Sequence, residues 1–225
     1  MMMIKRRHNS EQLQTVKEKT DFILTGIFSL LFFIPVQIFA QEIVTEGVPE
    51  QKLQSENEVL IDVKGRGGDF SLIGKDGWVS LSDFRGKVVA IYFGYTKCPD
   101  VCPTNLSFIS SAINGLKPEE KQNFQSIFIS VDPGRDSPDT LAEYVKYFDD
   151  EMIGLSAAPD DLDPVVAQYG AYYEKVPYSN SALMYGVDHT SETYIVGKKG
   201  TLFAILPHAT KSENILETIR EAMQQ

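Results

Sequence analysis

The chain has 225 residues, 43% of them hydrophobic and 23% charged, with 21 Lys and Arg against 31 Asp and Glu for a formal net charge of −10. That make-up suits one ordinary globular domain plus one further segment. The acidic sign excludes a nucleic-acid binder of the usual kind, whose affinity rests on Lys and Arg at the phosphates.

The further segment is N-terminal. Residues 1–21 are polar and carry Lys5, Arg6, Arg7, Lys17 and Lys19, and residues 22–40 follow as an uncharged apolar run broken by Thr25, Ser29, Pro35 and Gln37. A basic leader before such a run reads as an export signal cleaved after Ala40, or as a retained membrane anchor, since about twenty residues span a bilayer. A buried core helix is the third reading, and the absence of an amphipathic pattern weighs against it. With either of the first two, the positive end stays in the cytoplasm and the chain after about residue 41 is exported. We expect export with retention, on the periplasmic side of the cytoplasmic membrane.

Without residues 1–40, which hold five basic and three acidic residues, 16 basic and 28 acidic residues remain, a net charge near −12. This sign suits a basic or metal-bearing partner, and equally a solvated surface that keeps an exported domain soluble. In an oxidising compartment two cysteines form a disulfide, are kept reduced, or are capped by metal.

Residues 41–66 are polar and patternless and read as a linker; residues 67–225 are the domain. Residues 69–73 and 78–81 flank the turn signal Gly74-Lys75-Asp76-Gly77 and predict a β-hairpin. The run KVVAIYF (87–93) predicts a strand buried on both faces. After it comes GYTKCPDVCP (94–103), which holds both cysteines, Cys98 and Cys102. Leu106, Ile109, Ile113 and Leu116 then recur at helical spacing over 104–116.

A second central strand is predicted over 126–131, then a loop over 132–136. Ser137 as N-cap and Pro138 at the first helical position open a helix to about residue 148. A short strand at 153–157, a helix at 161–169, a hairpin of 193–196 with 202–206, and a helix from 212 to about 223 complete the pattern. Strands alternating with helices, then a closing hairpin and helix, predict an α/β fold with a mixed central sheet flanked by helices. The order resembles the thioredoxin-like fold with an added N-terminal β-hairpin.

Placing Cys98 at the entrance of the first helix, Pro99 at its first position and Cys102 on its first turn exposes both sulfurs to backbone N–H groups and the positive helix end. Lys97 adds to this, so lowered thiol pKa values are expected. The spacing of four puts both sulfurs on one side of a helical turn, a bidentate pair seeking a further ligand. Of the three histidines, His8 belongs to the leader and His208 reads as a surface residue. His189, in Val187-Asp188-His189-Thr190, lies in a loop that the fold packs against the cysteine bend, where Asp188 could orient the imidazole or add a weak ligand. Two sulfurs and one imidazole suit Cu(I), hold Cu(II) with one more ligand, and also make a zinc set. A structural disulfide competes, although so small a loop restrains the unfolded chain little.

The strings YFGYTKCPDVCP (92–103), SVDPGRDSP (130–138) and VDHT (187–190) together resemble the SCO/SenC family, a similarity spanning roughly residues 60–224. The resemblance implies copper bound by Cys98, Cys102 and His189 in a membrane-tethered exported protein. It also implies a role in maturing the CuA centre of cytochrome c oxidase, by delivering copper or by reducing the cysteines that receive it. The CuA-bearing oxidase subunit, other copper carriers and thiol reductases are the implied partners. Asp132 and Arg135 match the family's VDP-x-RD block, where they support the site or order the loop; Gly134 departs from it, in place of a larger residue.

Two other functions compete. A thiol–disulfide oxidoreductase would attack through Cys98 and resolve through Cys102, without need of His189. A thiol peroxidase is suggested by Thr96 ahead of Cys98 and opposed by Tyr95, which stands where that family places its threonine.

Overall fold

The computed structural model describes residues 62–177 and 185–225. The expected export segment and the linker up to residue 61 lie outside the described residues. The elements run β1 (Ser71–Gly74), β2 (Gly77–Ser80), β3 (Val88–Gly94), α1 (Val101–Asn114), α2 (Pro118–Lys121), β4 (Phe124–Ser130), α3 (Pro138–Val145) and β5 (Ile153–Leu155). They continue with α4 (Pro159–Tyr169), β6 (Tyr173–Pro177), β7 (Tyr185–His189), β8 (Thr193–Val196), β9 (Leu202–Leu206) and α5 (Ser212–Met223).

The central sheet has the order β5-β4-β3-β8-β9, with β3, β4 and β5 parallel and β8 and β9 antiparallel to their neighbours. All seven residues of β3 are buried, which is why its sequence is a continuous apolar run with no alternation. Each large side chain sealed there contributes about 1.5–3 kcal/mol relative to exposure. α5 lies against β3, β8 and β9 and packs on α1, while α3 sits by β5. The added β1–β2 hairpin turns at Gly77, whose φ of 127° favours glycine. It closes over the β5 edge, where Ile73 bridges Ser156.

The mixed sheet flanked by helices, the N-terminal hairpin and the expected strands and helices are all present. Ser137 caps α3, its side chain accepting the Thr140 N–H at 3.2 Å, with Pro138 in the first turn. Two expectations change. α1 begins at Val101 rather than at Pro99, so Cys102 lies on its first turn as expected while Cys98 and Pro99 stay outside it. The chain expected as irregular before residue 193 carries a separate two-stranded sheet of β6 and β7, paired antiparallel with Tyr173 opposite His189. Among the described residues, no helix is long and apolar enough to cross a membrane.

Candidate metal centre

β3 delivers the chain to Gly94, at the carboxyl end of the parallel strands, where open α/β sheets place their sites. The next residues turn back, and the Cys98 N–H donates to the Tyr95 carbonyl at 3.2 Å. Cys98 is not the entrance of α1: Asp100 is the N-cap, with a φ of −141° and ψ of −70°. Pro99 disfavours helical backbone at the residue before it, so the sulfurs meet through a turn and the first helical residues, not through helical alignment.

The two thiols share one environment and part in pKa. Cys98 is held down to about 3, chiefly by the hydrogen bond from Cys102, against burial, with further help from His189 and the backbone N–H groups of Asp100 and Cys102. Cys102 is pushed far up by burial and then by the hydrogen bond to Cys98. Both cysteines are free. The pair therefore offers one ready thiolate and one thiol that must lose its proton to ligate. Lys97, expected to help, is exposed.

His189 ends β7. Its Nδ1–H donates to the Thr190 carbonyl at 2.7 Å, so Nε2 is the ring nitrogen turned to the cysteines, 3.3 Å from Cys102 Sγ. The rings of Tyr92 and Tyr95 stand edge-on to the imidazole at 6.4 and 5.7 Å. Ligand atoms of Cys98, Cys102 and His189 all lie within 4.8 Å of one another. Two sulfurs and an imidazole nitrogen at this spacing fit a soft metal ion.

Asp188 points away. Neighbouring strand residues face opposite sides, Asp188 is exposed opposite Glu174, and the orienting acceptor is the Thr190 carbonyl. His208 is exposed in the turn before α5.

Asp132 is fully buried and accepts from Arg135 Nε and, at 2.8 Å, from the Tyr185 hydroxyl. Arg135 also donates to the Tyr185 carbonyl at 3.0 Å and stacks over the Tyr185 ring at 3.8 Å. The pair thus clasps the start of β7, the strand that ends in His189. A Cβ at Gly134 would lie 3.8 Å or more from its neighbours, so this position tolerates a larger residue.

Sequence reasoning missed Asp136. It is 1% exposed and accepts from Thr96 N at 3.0 Å, Thr96 Oγ1 at 2.5 Å and Ser130 Oγ at 2.7 Å, which ties the loop before Cys98 to the end of β4. Its signal was its place as the last acid of the VDP-x-RD block, beside Arg135 in a strand-to-helix loop.

Gly94 is demanded by the site. A Cβ there would lie 2.8 Å from Cys102 Sγ and 2.9 Å from Phe128. Gly94→Ala is expected to cost about 1–3 kcal/mol through overpacking, and to weaken metal binding as the sulfur is displaced; a thermal melt alongside a metal titration measures both.

Fold and site define a thioredoxin-like domain whose cysteine pair, four positions apart, meets a histidine borne on a separate hairpin. Residues 61–224 match the SCO1/SenC family model, and the chain belongs to that family. It is 36% identical over 155 residues to the SCO2-like protein RP587 of Rickettsia prowazekii, spanning 68% of this chain and 75% of that one. Arabidopsis thaliana ScoI, solved with copper bound, is similar at a TM-score of 0.65 and 32% identity, covering 71% of this chain and 98% of that one. Apo Sco1 from Thermus thermophilus is similar at 0.63 and 37%, covering 69% and 91%.

Proposed function

We propose that this chain binds copper through Cys98, Cys102 and His189 and acts as an assembly factor that carries it toward the CuA centre of cytochrome c oxidase. The carrying observation is the convergence of two sulfurs and an imidazole nitrogen of His189 within 4.8 Å. A relative of 32% identity has been solved with copper bound. Copper is cargo here: the Cys98 thiolate supplies an anionic sulfur at neutral pH, Cys102 gives up its proton on ligation, and His189 enters neutral. Residues 1–40 would export the domain and hold it at the periplasmic face, within reach of the oxidase subunit and of the carriers that load it.

A second reading is reduction of the oxidase's cysteines by the same pair. The Cys98 thiolate beside a free Cys102 favours it, since a thiolate attacks and a neighbouring thiol resolves.

The test is a deletion strain scored for CuA-oxidase activity and complemented by parent, Cys98→Ser, Cys102→Ser or His189→Ala, with purified proteins titrated with Cu(I) and zinc in parallel. Copper carriage predicts that all three variants fail and that copper outcompetes zinc. Rescue by His189→Ala alone would move the function to thiol exchange.

A further inference from the structure

Asn105 lies one turn beyond Cys102 on α1 and is 3% exposed. A buried amide is costly unless its donors and acceptor are met, and here three separate elements meet them. Its Nδ2 group donates to the Ser191 carbonyl at 2.5 Å and to the Tyr92 hydroxyl at 3.3 Å, and its Oδ1 accepts the Ala209 N–H at 3.1 Å.

Each partner has a bearing on the site. Ser191 is two residues past His189, on the segment whose Thr190 carbonyl orients the imidazole. Tyr92, buried in β3, stands with its ring edge-on to the His189 imidazole at 6.4 Å. Ala209 has a φ of 60°, a left-handed conformation for a residue other than glycine that its surroundings must hold. Leu106 and Ile109, its buried neighbours on α1, fill the core with apolar side chains. Core packing alone would ask the same of position 105.

We infer that Asn105 is a positioning residue of the metal centre: it fixes the distance between the Cys102 sulfur and His189 Nε2 by holding the Tyr92 hydroxyl and the Ser191 carbonyl at once. The inference rests on Cys98, Cys102 and His189 being copper ligands. Its consequence is geometric: Asn105 shares a helix with Cys102, and its bonds tie that helix to the Tyr92 ring beside His189 and to the segment whose carbonyl orients the imidazole.

The test uses the full-length chain in detergent. Asn105→Leu keeps the volume and removes all three hydrogen bonds; Tyr92→Phe keeps the ring and removes only the hydroxyl. Parent and variants are titrated with Cu(I) against a competing chelator, and the metal-free proteins are followed by thermal melts and His189 ring-nitrogen NMR shifts.

Both variants are expected to melt cooperatively and to bind Cu(I) about 10–100-fold more weakly. Asn105→Leu alone also shifts the metal-free His189 resonances, because it alone frees Ser191. A merely structural Asn105 would lower the melting temperature while leaving copper affinity and imidazole shifts unchanged, and that result overturns the inference. If Asn105→Leu does not fold, Tyr92→Phe decides: an unchanged copper affinity overturns the inference. A parent that binds no copper fails the ligand assignment itself, which the metal-free NMR arm reports separately from the positioning of His189.

Discussion

In Cys102→Ala, Cu(I) affinity falls several hundredfold and the Cys98 thiol no longer ionises near pH 3. Four-ligand structural metal sites carry roughly 10–16 kcal/mol, so one ligand carries roughly 3–4 kcal/mol, or several hundredfold at about 1.4 kcal/mol per tenfold. The thiol effect has the same origin. The first cause of the low Cys98 pKa, about 3, is the hydrogen bond from Cys102, and without it the value climbs part of the way toward the ordinary thiol value of about 8.5.

Iodoacetamide alkylation of the reduced, metal-free proteins measures this: the parent reacts at a flat rate between about pH 5 and 8, and the variant accelerates with pH. Stability follows with a definite sign. The depressed Cys98 contributes stability that is complete above the unfolded thiol value near 8.5 and is lost as pH falls toward 3. The raised Cys102 contributes stability that is complete below about 8.5 and is lost as pH climbs beyond it. The melting advantage of metal-free parent over Cys98→Ser therefore grows from pH 4 to 8, and a flat difference would remove the thiolate from the account.

What was legible in the sequence was whatever a local pattern determines. β3 shows as a continuous apolar run and β4 as the Ile127-Phe128-Ile129 run at its centre because both faces of the sheet are covered, and Ser137-Pro138 marks the start of α3 because cap and first turn are neighbours in sequence. The two cysteines announced the site by spacing, and His189 followed once the fold placed its segment against theirs. The start of α1 was misplaced because Cys102 was read as the second arm of a helical pair, whereas Pro99 keeps Cys98 outside the helix.

The β6–β7 hairpin was not seen. Its outward positions set Glu174 directly across from Asp188, a like-charge pair that no strand pattern favours, and its order comes from backbone pairing and from the Asp132–Arg135 clasp on Tyr185. The buried polar residues were illegible for a different reason. Asp136 finds Thr96 forty positions away and Asn105 finds Ser191 eighty-six away, so their partners exist only after folding. Asp188 was assigned to the imidazole by adjacency, and strand alternation sends adjacent side chains to opposite faces.

Asp136→Ala should be the most destabilising single change in the loops around the site. The carboxylate is buried and accepts from Thr96 N, Thr96 Oγ1 and Ser130 Oγ. Removing it leaves three donors without that acceptor, each costing roughly 1–3 kcal/mol where water cannot replace it. Thr96 is half-buried and recovers part of its loss in water, so the total is roughly 3–5 kcal/mol, about a 10 °C fall in melting temperature for a domain of this size. Asn in place of Asp costs less, because one acceptor oxygen survives, yet its NH2 group then faces a donor. A double-mutant cycle with Thr96→Val separates the loop tether from the rest: coupling of about 0.5–3 kcal/mol is expected for groups in direct contact, and additive losses would place the effect at Ser130. Because the Thr96-Lys97-Cys98 segment hangs from this carboxylate, metal affinity should fall with stability in Asp136→Ala and recover in part in Asp136→Asn. A copper titration at a temperature where all three proteins are folded distinguishes a loosened loop from a molecule that is only less stable.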